Sequence, residues 1–189
     1  MIEILCGPIS CGKSTYAHNR AKDGAIVIND DAIVKMLHGG DYTLYDSTLK
    51  PLYKSIENHI ITHAVAVGLN VIIDRTNHLK STRARYVSIA KSLDEDVKLV
   101  LFDWGVAPEI SANRRFTSDS RGLSLDIWLA VANRHKQEYE SPTLAEGYQE
   151  LIEYDDSPYC DECGACGEPM CCPPTRCKYF MSYLKEHNV

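Results

Sequence analysis

The chain has no long hydrophobic run. Its longest mostly apolar stretch, Ile60 to Ile73, is broken by Thr62, His63, Gly68 and Asn70, whereas a membrane span needs ~20 predominantly apolar residues. The opening residues, MIEILCGPIS, have neither the basic start nor the length of apolar core of a signal peptide. The expected location is therefore cytoplasmic, with no membrane partner. An excess of basic charge is missing too. The net charge is −6, so the overall field does not mark a nucleic-acid binder, and any such contact must come from local basic patches. There is no internal repeat and no low-complexity tract. Cysteine is scarce through most of the chain and then abundant: six of the eight lie between Cys160 and Cys177.

At 189 residues, 44% hydrophobic and 24% charged, the chain fits one globular domain with room for a small appendage. Disorder, a collagen-like fibre and a bare coiled coil are excluded. Charge is divided unevenly: residues 1–150 carry 17 basic and 19 acidic side chains, and residues 151–189 carry 3 and 7. The composition shift near Asp155 sets the expected boundary, with a main domain over 1–155 and a Cys-rich tail over 156–189.

Apolar runs and turn residues alternate as in an α/β protein. Strands are expected at Ile2–Cys6, Ala25–Ile28, Asn70–Asp74, Val97–Trp104 and Gln149–Tyr154. Helices are expected from about Ser14, from Asp30 or Asp31 as cap to Leu37, from Pro51 to Gly68, over Lys80–Leu93, and near 108–117 and 124–139. In the third of these, Leu52, Ile56, Ile60, Ala64 and Val67 repeat at helical spacing. Strands with consecutive apolar residues are buried on both faces, which fits a parallel sheet sandwiched between helices.

The most specific motif is Gly7-Pro-Ile-Ser-Cys-Gly-Lys-Ser14, matching G-x-x-x-x-G-K-[ST] between a strand and a helix. Its glycines let backbone amides turn inward around phosphate oxygens, and the following helix offers its positive end to the same anions. Gly7, Ser10, Cys11, Gly12, Lys13, Ser14 and Thr15 are the candidate nucleotide-binding residues. Lys13 is placed to reach the β and γ phosphates of a nucleotide, and the Ser14 hydroxyl to bind Mg²⁺. Cys11 reads as a small filler of the loop.

Carboxylates follow at two further strand ends, where ligands sit in parallel sheets. Asp30, in Asn29-Asp30-Asp31, is placed to take a proton from an attacking hydroxyl; helix capping is the competing role. Asp74, in VIID, is placed to hold Mg²⁺ directly or through water, with Arg75 and Asn77 on the same crest. Residues 75–93 carry Arg75, Lys80, Arg83, Arg85 and Lys91 and no acid, a local +5 that suits a polyanion unless it is a solvated helix face. Arg114, Arg115 and Arg121 suit a mobile lid that neutralises charge in a phosphoryl-transfer transition state, with Arg134, His135 and Lys136 on the next helix.

The ordered set GPISCGKST, INDD at 28–31, VIIDRTN at 71–77, NRRFTSDSRG at 113–122 and EGYQELIEY at 146–154 resembles the P-loop kinase module of bacteriophage polynucleotide kinase and its relatives, over about residues 1–152. The resemblance implies a P-loop kinase fold, ATP and Mg²⁺ as cofactors, and γ-phosphoryl transfer to a hydroxyl. It implies Asp30 as general base, Lys13 and Ser14 in the loop roles, and lid arginines at Arg114 or Arg115 and at Arg121. It also implies the cytoplasm of a host if the chain is phage-encoded. Two positions depart from the family. Ile33 stands where an arginine holds the acceptor phosphate, and Arg75 stands where the crest acid is expected, with Asp74 beside it. The acceptor side is therefore rebuilt, which suits a different hydroxyl, such as a hydroxymethylated base in DNA.

The tail reads Cys160-x2-Cys163-x2-Cys166-x4-Cys171-Cys172-x4-Cys177. In a reducing compartment that density points to metal rather than disulfides. Zinc needs four ligands in a tetrahedron. One pair is Cys160 and Cys163, and the second is open among Cys166, Cys171, Cys172 and Cys177. An iron–sulfur cluster is the rival. Three functions follow: an ATP-dependent kinase of nucleic-acid hydroxyls, on DNA rather than RNA; a small-molecule or nucleoside kinase; or a non-catalytic nucleotide-binding module. The Asp30 placement and the arginine-rich segment oppose the third.

Overall fold

The computed structural model describes residues 1–119 and 121–154. The Cys-rich tail, with all six of its cysteines and its expected zinc site, lies outside the described residues.

Five strands form one wholly parallel sheet: β1 (Ile2–Cys6), β2 (Ile26–Ile28), β3 (Val71–Ile73), β4 (Val97–Phe102) and β5 (Glu150–Tyr154), in spatial order β2-β3-β1-β4-β5. Strand β1 is central, with Ile4 opposite Ile73 on one side and Leu99 on the other. Six helices connect them: α1 (Lys13–Lys22), α2 (Asp30–Leu37), α3 (Lys50–Ala66), α4 (Lys80–Ser92), α5 (Pro108–Ser118) and α6 (Leu125–Glu138). No described helix is long and apolar enough to cross a membrane.

The expected strands and helices are all present, most with ends within one or two residues. Alternate strand residues feed the two faces. Ile2, Ile4, Ile28, Val71, Ile73, Val97 and Leu99 pack with Ile33 and Val34 of α2, Ile61 and Ala64 of α3, and Tyr86, Val87 and Ala90 of α4. Leu5, Ile72, Val100 and Phe102 pack on the other face with Ala17 of α1. Helices α5 and α6 share a small cluster of their own around Ala112, Trp128 and Ala132.

Three sequence readings need correction. The buried stripe of α3 is Tyr53, Glu57, Ile61, Ala64 and Val65, while Leu52 and Val67 are exposed. Of the expected positions Ala64 is buried and Ile56 and Ile60 pack at the edge of the core, while Glu57 faces inward and meets Arg75 and Arg85. Helix α2 is capped by Asn29, whose Oδ1 accepts from the Ala32 amide at 3.1 Å, and not by Asp30 or Asp31. The +5 segment is not a free basic face. Arg83 is fully buried on Glu146, and Arg75 and Arg85 both pair with Glu57.

Candidate active site

The loop after β1 is shaped by close approach. A Cβ on Gly7 would lie 2.7 Å from both Cys11 Sγ and Phe102 Cβ, so only glycine fits there. Ser10 and Gly12 take left-handed backbone (φ 54° and 96°), a geometry that turns successive amides to one side. Gly12 is the N-cap of α1; no side chain caps this end among the described residues and no acid lies in the first turn. The orphan N–H groups and the helix dipole are thus left to an anion. Lys13 is buried, its Nζ donating to the carbonyls of Gly7 and Pro8. Burial pushes the Cys11 thiol above its ordinary pKa, against the pull of Lys13, which suits a filler and not a nucleophile. Thr15 is exposed on α1.

Beside the loop lies a cavity of about 280 Å³ lined by Ser10, Lys13, Ser14, Asp30, Asp31, Asp74, Arg75, Arg115, Arg121, Trp128 and His135, among others. Ser14 Oγ donates to Asp74 Oδ2 at 2.9 Å. The same carboxylate, 6% exposed, accepts from Asn29 Nδ2 at 3.2 Å. The two expected Mg²⁺ residues are therefore brought together as hard oxygen donors beside the loop. That donor set fits a cation keeping several of its waters. Among the described residues no group of three or more His, Cys, Asp or Glu could hold a metal by itself.

Because Asn29 caps α2, both acids that follow it are free to line the cavity. Asp30 pairs with Arg75. Desolvation holds its carboxyl above the ordinary range; Arg75 pulls the other way, and Glu57 and Asp31 add to the rise. Asp31 faces the cations of the α5–α6 segment, with Arg121 at 3.5 Å and Arg115 at 3.6 Å. Both guanidinium groups lie over Trp128, at 5.1 Å for Arg115 and 4.7 Å for Arg121. Arg121 also lies 4.9 Å from the Tyr42 ring. Arg114 is exposed on α5 and does not line the cavity.

Asn29 and Trp128, which both line the cavity, were given no role from sequence. Asn29 orients Asp74, and its place before an acidic pair was the one available signal. Asn77 turns away from the cavity: its Nδ2 donates to the Leu5 carbonyl at 2.7 Å, tying the β3 crest to β1. Of the Arg134, His135 and Lys136 group, only His135 reaches the cavity. Burial, reinforced by His78, Arg134 and Lys13, lowers its pKa to about 4, so it is neutral near pH 7.

A phosphate-binding loop on the central strand, an acid on the crest of the neighbouring strand and a helical pair carrying arginines across the cavity define a P-loop nucleotide-binding domain of the kinase type. A family model described as an AAA domain matches residues 2–142, and the chain belongs to that family. Solved structures share the fold. A putative kinase from Chloroflexus aurantiacus is 12% identical over 99% of this chain and 94% of its own, with a TM-score of 0.60. A fungal RNA kinase is 15% identical over 82% of this chain, with a TM-score of 0.54. A chain of the Pnkp1/Rnl/Hen1 complex is 22% identical over 65% of this chain, with a TM-score of 0.52. This chain spans only 39% of the RNA kinase and 40% of the Pnkp1-complex chain. At these identities the likeness is one of fold.

Proposed function

We propose that this chain is an ATP- and Mg²⁺-dependent kinase that transfers the γ-phosphoryl group to a hydroxyl of a nucleic acid, either a 5′-hydroxyl end or a hydroxymethylated base in DNA. The observation that carries the reading is that donor and acceptor groups share one cavity: Lys13 and Ser14 on the loop side, Asp30 on the other wall. In this reading the loop amides and Lys13 hold the β and γ phosphates. Bound Mg²⁺ would supply charge neutralisation at the phosphates, held by Ser14 and Asp74. Asp30 takes the acceptor proton as that oxygen bonds to the γ phosphorus, the β–γ bridging bond breaks, and ADP departs. Arg115 and Arg121 face the charge that spreads over the transferring group. The raised affinity of Asp30 for a proton supports its role as base. An RNA kinase among the structures of like fold is consistent with a nucleic-acid acceptor.

A nucleoside or other small molecule is the second reading. It is favoured by the internal pairing of Arg75, Arg83 and Arg85, which removes most of the basic face a polymer would grip. The test is transfer from γ-labelled ATP with Mg²⁺ to a panel of 5′-hydroxyl DNA, 5′-hydroxyl RNA, hydroxymethyluracil DNA and free nucleosides. Label on nucleosides alone selects the second reading. ATP bound with no label on any acceptor points to a non-catalytic module. For the tail, we propose structural zinc held by four of Cys160, Cys163, Cys166, Cys171, Cys172 and Cys177, on spacing alone.

A further inference from the structure

Glu57 lies in the middle of α3 and is 1% exposed. A leucine or methionine at such a position fills the core without the desolvation cost of a carboxylate, and buried ion pairs seldom out-stabilise apolar replacements. The partners of Glu57 suggest why an acid is there. Its Oε2 pairs with Arg85 Nη1 at 2.6 Å, and its Oε1 accepts from the Tyr86 hydroxyl at 2.7 Å. The same Oε1 lies 3.6 Å from Arg75 Nη1, which donates to the Tyr86 oxygen at 2.9 Å. The other end of the Arg75 guanidinium meets Asp30. Arg75 and Asp30 line the cavity, while Glu57, Tyr86 and Arg85 stand behind them.

We propose that Glu57 is a positioning residue: by holding the back of the Arg75 guanidinium, it sets how that guanidinium meets Asp30, and thus the geometry and charge in which Asp30 receives an acceptor hydroxyl. The proposal rests on reading Asp30 as the general base. A guanidinium anchored only by Asp30 would occupy the carboxylate oxygens that must accept the proton. Shared with Glu57 and Tyr86, it orients Asp30 without claiming it. The charged groups around Asp30 are Arg75 on the β3 crest, Glu57 on α3, Arg85 on α4 and Asp31 on α2, with Arg115 and Arg121 drawn onto Asp31 from across the cavity. Glu57 raises the proton affinity of Asp30, and Arg75 lowers it. Loss of either should therefore move Asp30 in opposite directions.

The experiment follows the side-chain carboxyl of Asp30 by NMR in protein carrying ¹³C-labelled aspartate, the signal being assigned by its loss in Asp30→Asn. The expected result is an Asp30 titration midpoint lower than wild type in Glu57→Gln and higher in Arg75→Gln. The turnover number for labelled-phosphate transfer in Glu57→Gln should fall about tenfold or more, part of the ~10²–10⁴ that general-base catalysis supplies, with the KM for ATP unchanged. An Asp30 midpoint unmoved or raised in Glu57→Gln overturns the proposal. If Glu57→Gln does not fold, Glu57→Gln with Arg85→Met, which removes the stranded cation, is compared with Arg85→Met alone, because Arg85 itself lowers the proton affinity of Asp30; the midpoint should be lower in the double variant, and one unmoved or raised overturns the proposal. Full transfer by Asp30→Asn would end the general-base reading itself; a dead Asp30→Asn beside an unmoved Glu57→Gln ends only the role of Glu57.

Discussion

Replacing Arg83 with methionine separates a structural cation from a nucleic-acid contact. Arg83 is fully buried, and its donors are used internally. Nε and Nη2 meet the two carboxylate oxygens of Glu146 at 2.8 Å each, while Nη1 bonds the carbonyls of Asn77 and His78 at 3.1 Å each. The bidentate pair ties the start of α4 to the segment leading into β5. Methionine keeps much of the volume but leaves the Glu146 carboxylate, 3% exposed, without its cation. Breaking one side of a buried pair costs about 3–5 kcal/mol. At ~2–4 °C per kcal/mol for a domain of this size, the melting temperature should fall by roughly 6–20 °C at neutral pH. Burial alone would raise the Glu146 pKa, but the bonds from Arg83 and Tyr148 outweigh it and hold the carboxyl below its ordinary value. A carboxyl depressed on folding contributes stability above its unfolded pKa, and that contribution is lost as pH falls through the folded one. The gap between wild type and Arg83→Met should therefore close in acid. Thermal melts followed by circular dichroism across that range make the test. A variant melting within ~2 °C of wild type, or a gap that does not shrink in acid, refutes the assignment.

Other perturbations divide the site. Arg121→Ala removes the contacts to Asp31, Tyr42 and Trp128, and phosphoryl transfer should fall by about 10³-fold or more, on the scale of a transition-state arginine. Arg114→Ala, on the exposed side of α5, should keep transfer within about twofold; equal losses in the two variants would argue against the assigned lid geometry. Metal analysis of the purified full chain should find zinc in a one-to-one ratio, removable by chelation, and iron with sulfide or no metal at all would reject the zinc reading.

The fold and the shape of the loop after β1 were largely legible in the sequence because their signals are local. The phosphate loop needs glycine at Gly7 and Gly12 for reasons of close approach and backbone conformation, and strands announce themselves by unbroken apolar runs such as Val71, Ile72 and Ile73. The wall of the cavity opposite the loop was less legible because its signals are long-range. Arg75, Arg83 and Arg85 read as a basic patch since their neutralising acids, Asp30, Glu57 and Glu146, come from other elements. Glu57 sits at a spacing that fits a solvated face as well as a core. The arginines at 114 and 115 differ by a 100° turn of helix, and only packing on Trp128 decides which faces the cavity.

The most direct test of the central claim compares wild type with Asp30→Asn for transfer from γ-labelled ATP to the acceptor panel, alongside ATP binding. The account predicts label on a nucleic-acid hydroxyl with wild type, a fall of about 10²–10⁴-fold in Asp30→Asn, and ATP affinity nearly unchanged. Transfer at the wild-type rate by Asp30→Asn, or bound ATP with no transfer by wild type to any acceptor, would contradict it.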